Sequence, residues 1–134
     1  MSQLVESAAT TAITQPEQAV VIVTSAALQT QGMAMVLSRA MQEQGVELSI
    51  LLCDQAAELA IQSYQSPSAL APKGMKPEGL LQQIIDAGAT VAVCALFLPN
   101  SSYQEQDLRQ GVSVAQPAKM AEMLRCAKSK VITF

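Results

Sequence analysis

The chain has 134 residues, half of them hydrophobic and only 14% charged, with a formal net charge of −3 and no histidine. That length suits one domain with a real core, and a weakly acidic chain without a basic run excludes the electrostatic footprint of a nucleic-acid binder. The missing histidine excludes Ser-His-Asp and Cys-His couples as well as imidazole-ligated zinc.

Residues 1–18 are small and polar, carry no periodicity and read as a flexible N-terminal tail. They lack the basic and apolar regions of a signal peptide, and no apolar run approaches the ~20 residues that span a bilayer. The expected location is the cytoplasm, without membrane attachment. A single α/β domain is predicted over 19–134. Its first strand is Ala19–Ser25, a β-branched run typical of a strand buried on both faces. Thr30 is placed to cap a helix whose Met33, Val36, Leu37, Ala40 and Met41 share one stripe, read as core-facing; Gly45 stops it.

Val46–Leu52 is the second strand, with Cys53 and Asp54 at its end and a short helix over Gln55–Ser63. A loop, SYQSPSALAPKGMK, leads to a helix that Pro77 opens and Gly88 closes, with Leu80, Leu81, Ile84 and Ile85 facing inward. The stretch from Thr90, TVAVCALFLPN, is the third strand and its exit. A polar loop over Asn100–Gln110, a short strand over Gly111–Val114, a helix from about Gln116 with Met120, Met123, Leu124 and Ala127 as its buried stripe, and a last strand over Lys130–Phe134 complete the chain. Strands alternating with helices specify a mainly parallel sheet of about five strands covered on both faces, a three-layer α/β/α fold. A small surface with few charges leaves apolar area to cover, which favours a homo-oligomer.

No phosphate-binding fingerprint follows the first strand: Ser25-Ala-Ala-Leu-Gln-Thr-Gln-Gly32 contains neither GxGxxG nor GxxxxGK[ST]. Chemistry therefore turns on sulfur. The three cysteines are too far apart for a CxxC pair and are expected as thiols. Cys94 approaches the carboxyl end of its strand, where α/β sheets build their sites, and a polar loop around Asn100 follows it. It reads equally as a reactive thiol or as a small buried hydrophobe. Cys53 reads as filler beside a capping Asp54, and Cys126 as structural. Met75 lies in a loop between Lys73 and Lys76. These two lysines read as solvated charge, or as cations that favour an anionic sulfur at Cys94.

The segment Leu80–Leu98, LLQQIIDAGATVAVCALFL, and the closing DLRQGVSVAQPAKMAEMLRCAKSKVITF resemble the DsrE/DsrF-like family, which includes the TusD subunits of bacterial sulfur relays. The resemblance implies a DsrE-like domain that self-assembles, with a persulfide on Cys94 received from a sulfur donor protein and passed to an acceptor. From the residues themselves, loop groups around Asn100, with Lys73 or Lys76, are the candidate surroundings of that thiol. Thiolate–persulfide exchange needs no metal or organic cofactor. Relay subunits carry small and basic residues after this cysteine, whereas Ala-Leu-Phe-Leu-Pro follows Cys94 and predicts a more apolar pocket. The other reading is a non-catalytic oligomeric module that binds a small ligand or a partner protein, with Cys94 as packing. A peroxidase is the weakest reading, since no resolving partner for Cys94 is visible.

Overall fold

Five short runs of β-branched and aliphatic residues become five parallel strands in a computed structural model that describes residues 17–134. The tail predicted over 1–18 falls outside the described residues except for Glu17 and Gln18, and Gln18 opens the first strand. In chain order the elements are β1 (Gln18–Val23), α1 (Leu28–Glu43), β2 (Glu47–Leu52), a 3-10 helix (Asp54–Ala60), α2 (Pro77–Asp86), β3 (Thr90–Val93), two 3-10 turns (Leu98–Asn100 and Glu105–Asp107), β4 (Val112–Val114), α3 (Pro117–Arg125) and β5 (Ser129–Thr133).

The strand order is β4-β3-β2-β1-β5. Chain progress from β1 to β4 moves in one direction across the sheet, and the step from β4 to β5 returns across it. Right-handed crossovers therefore put α1 and α2 on one face and α3 on the other, which is the predicted three-layer arrangement. The well-filled side is the first. Val21, Val23, Leu52 and Val93 are completely buried there against Ala34 and Met35 of α1 and Leu81 and Ile84 of α2. Strand alternation sends these residues to one face, so each strand contributes every second side chain to that core.

Helix α1 begins earlier than predicted and lies rotated from the expected orientation. Ala27 takes the N-cap position, so Thr30 lies inside the first turn rather than capping it. The buried row is Gln31, Gly32, Ala34, Met35 and Ser38. Met33, Val36 and Leu37, expected in the core, are 42–49% exposed. Small side chains allow the helix axis to approach the sheet closely, and that gain in packing outweighs turning the larger stripe inward. Gly45 ends the helix as predicted, with φ of +91°. Its amide donates to the Gln42 carbonyl and the Val46 amide to the Met41 carbonyl, the paired bonds of a left-handed helix stop.

Two further differences bear on the site. The segment after β2 is a 3-10 helix whose Ala56, Ala57, Leu59 and Ala60 are fully buried. Asp54 does not cap it. Cys53 holds the N-cap position with extended backbone, and Asp54 has φ of +53°, a left-handed conformation uncommon for a residue with a side chain. On the opposite face α3 buries nothing: Met120 and Met123 are half-buried, Leu124 and Ala127 exposed. Cys126 lies at the C-cap of α3 and is exposed, not a packed structural residue.

The rotation of α1 has a measurable signature. Met35→Ala should lower unfolding free energy by about 2–4 kcal/mol, as for a large buried side chain, while Met33→Ala should cost less than about 1 kcal/mol. Urea unfolding of the two variants checks this, and equal costs would contradict the orientation.

Candidate functional site

A cavity of about 680 Å³ opens beyond the carboxyl ends of β2 and β3. Two segments line it: Cys53, Asp54, Gln55 and Glu58 after β2, and Cys94, Leu96, Phe97, Asn100, Ser101, Ser102 and Tyr103 after β3. Both cysteines are half-buried in its wall. Cys94 is thus neither sealed in the core nor free on the surface, and a small reagent in the cavity reaches it.

The loop after β3 is held by its own hydrogen bonds. The Cys94 amide donates to the Leu52 carbonyl at 2.9 Å, which ties the residue to the neighbouring strand. The Phe97 amide donates back to the Cys94 carbonyl at 3.0 Å, closing a turn directly after the sulfur. Asn100 lines the cavity, yet its Nδ2 donates to the Leu96 carbonyl at 2.8 Å, and Ser101 Oγ donates to the Leu98 carbonyl at 3.1 Å. These groups stiffen the loop. Phe97 and Tyr103, with ring centroids 6.1 Å apart, brace its apolar side.

Lys73 and Lys76 do not border this cavity. Lys73 lines a separate groove against α1, and Lys76 holds the N-cap position of α2, its Nζ donating to Gln65 Oε1 at 3.5 Å. An antiparallel bridge between Leu70 and Met75 folds their loop onto α1, where a Cβ at Gly32 would collide with Leu70 Cδ1. Leu70 thus packs directly over Gly32, and the loop that carries Lys73 and Lys76 lies away from the cavity. The ionisable carboxyl groups lining the cavity are Asp54 and Glu58, and among the described residues no cation joins them.

Cys53, expected as filler beside Asp54, lines the cavity with Cys94. Burial raises its thiol, and the neighbouring Cys94 and the Asp54 carboxylate push it further, up to about 12. Hydrogen bonding around the exposed Cys126, led by the Lys128 backbone and joined by Ser129, instead holds that thiol below its usual value. The local cue to Cys53 was its place one residue past a strand end. What no local pattern shows is that the register puts it beside Cys94.

Support for the cavity floor comes from buried polar groups. Arg109 Nε donates to the Leu59 carbonyl at 2.8 Å, and the Arg109 amide donates to the Ala60 carbonyl at 2.8 Å, fixing the 3-10 helix that carries Asp54 and Glu58. Burial pushes the nearby Glu78 carboxyl up, but hydrogen bonds from Ser66 Oγ and the Ser66 amide outweigh it and hold the group below its ordinary value, with Lys76 assisting.

Fold and cavity together define a parallel α/β protein with two thiols in a pocket at the ends of adjacent inner strands. No protein-family model and no curated protein sequence matches the chain. Among solved structures it is similar to the YchN protein of E. coli, with a TM-score of 0.70 at 17% identity over 90% of this chain and 100% of that one. It is also similar to MTH1491 of Methanobacterium thermoautotrophicum, a protein of unknown function, with a TM-score of 0.63 at 11% identity over 88% of this chain and 99% of that one. At these identities the likeness establishes the fold, and it is the α/β fold that the DsrE-like resemblance implied.

Alkylation with iodoacetamide at neutral pH should therefore modify Cys126 well ahead of Cys53. A thiol at about 12 has roughly a thousandfold less thiolate than one at its ordinary value. Asp54→Asn should speed Cys53 labelling by removing a charge that opposes ionisation. Peptide mass mapping over time reads both effects, and Cys53 labelled ahead of Cys126 would contradict the assignment.

Proposed function

We propose that the protein is a sulfur carrier that takes up a persulfide on Cys94, in exchange with a sulfur donor and an acceptor protein. The observation that carries this reading is the half-buried Cys94 in the wall of an open cavity at the carboxyl ends of inner strands. The cavity is mainly apolar around Leu96, Phe97 and Tyr103, which favours a neutral sulfur species over a hydrated anion. Asn100 contributes by fixing the turn beyond the sulfur. Lys73 and Lys76 have no part in it, because their loop lies against α1. Sulfur exchange proceeds by thiolate attack on a sulfur–sulfur bond, which suits a chain without histidine.

We also propose self-association, on a separate observation. Met33, Val36 and Leu37 of α1 are exposed beside an apolar groove that includes Leu70, Met75 and Leu80. A second copy of a chain with so few charges would cover that surface.

Two measurements test these readings. Treated with inorganic polysulfide in a Cys126→Ser background, the protein should gain about 32 Da, one sulfur atom, or release that sulfur as sulfide, and Cys94→Ser should do neither. Persistence of the adduct in Cys94→Ser would refute the carrier assignment. Light scattering should give an oligomer that Leu37→Glu shifts toward monomer; a monomeric parent protein refutes self-association.

A further inference from the structure

Parallel pairing of β2 with β3 aligns Ile50 with Val91, Leu51 with Ala92 and Leu52 with Val93. One residue further along both strands stand Cys53 and Cys94. The sheet bonding continues through both: the Cys53 amide donates to the Val23 carbonyl and the Cys94 amide to the Leu52 carbonyl, each at 2.9 Å. Adjacent strands run about 4.8 Å apart, inside the ~4.4–6.8 Å separation of Cα atoms that a disulfide bridges. Leu52 and Val93 both point into the core, so the next residue on each strand takes the opposite phase, and the two side chains emerge on the same side. Both line the same cavity.

We propose that Cys53 and Cys94 form a two-thiol centre in which Cys53 resolves a persulfide on Cys94, releasing sulfide and leaving a Cys53–Cys94 disulfide. This rests on the carrier reading for its substrate and adds a reductive activity to it. The Cys53 thiolate attacks Sγ of Cys94. A new bond joins the two cysteine sulfurs while the bond from Sγ to the terminal sulfur breaks, and its electron pair leaves with that sulfur as hydrosulfide. The proton lost by Cys53 passes to solvent. Relative to the starting dithiol and neutral sulfur, the two cysteines give up two electrons and the transferred sulfur gains them. A low-molecular-weight thiol, two equivalents per disulfide, restores the dithiol by exchange.

The competing fate is hand-over to an acceptor thiol. Burial and the Asp54 carboxylate raise the Cys53 thiol, which lowers its thiolate fraction at neutral pH and so disfavours resolution in that competition. Glu58 and Tyr103 are the other titratable groups at the cavity, and neither supplies a cation that would reverse this.

The experiment compares the reduced protein with Cys53→Ser and Cys94→Ser, all in a Cys126→Ser background, after limiting inorganic polysulfide is added and removed. The protein with both cavity cysteines should release one equivalent of trapped sulfide and end about 2 Da lighter, with peptides around 53 and 94 cross-linked. Cys53→Ser should retain the added sulfur, about 32 Da, with sulfide release reduced at least about tenfold; Cys53→Ala repeats this arm should serine disturb the fold. Retention of the adduct without a disulfide in both proteins would overturn the resolving role and leave the carrier reading standing. No adduct on Cys53→Ser and Cys53→Ala, and no sulfide from the protein with both thiols, would overturn both.

Discussion

The hydrogen-bonded parallel register between β2 and β3 is the constraint from which the site follows. Strand side chains alternate with a period of two, so a slip of one residue would turn a thiol toward the core and push Leu52 or Val93 into the cavity. Both of those residues are completely buried. Exposing either would cost about 1.5–3 kcal/mol, more than any polar interaction at the cavity rim supplies. Core packing, rather than the cavity itself, holds the two sulfurs side by side. The same argument covers β1, whose Val23 carbonyl receives the Cys53 amide and so extends the ladder one residue past the strand.

Electrostatics at the cavity run against the simplest picture of an activated thiol. Asp54 and Glu58 are the charged groups there, and carboxylates near a thiol disfavour its ionisation. The left-handed Asp54 keeps its carboxylate adjoining Cys53 and turns the chain from strand into 3-10 helix within one residue. Arg109 is engaged elsewhere, its guanidinium donating to the Leu59 carbonyl of the 3-10 helix and to the Tyr64 carbonyl beyond that helix. A pocket of this kind holds neutral sulfur chains better than sulfur anions, and burial there raises the Cys53 thiol.

Most of the architecture was legible because continuous β-branched runs and glycine stops carry local information. Ala19–Ser25 read as a strand buried on both faces and the stretch from Thr90 as the third strand, and Gly45 and Gly88 closed their helices where positive φ was needed. Orientation of α1 was not legible. Met33, Val36 and Leu37 form the more apolar stripe, while the sheet selected the row of Gly32, Ala34, Met35 and Ser38 that permits close approach. The same limit applied to the site. Cys94 stood out on its own strand, whereas the partnership of Cys53 depends on pairing between segments about forty residues apart. Nor could the sequence foresee that the loop carrying Leu70 and Lys73 would lie along α1, away from the sulfur.

Sheet order has a consequence for how the molecule breathes. Strands β4 and β5 form the margins, and α3, which buries no residue, leans on the β5 margin. Segments with so little enclosed surface open first, at free energies well below that of global unfolding. Opening is thus expected first at the two margins, above all at the β5 margin against which α3 rests. The strands that carry the sulfurs are interior, bonded on both sides, and keep their spacing while the periphery loosens.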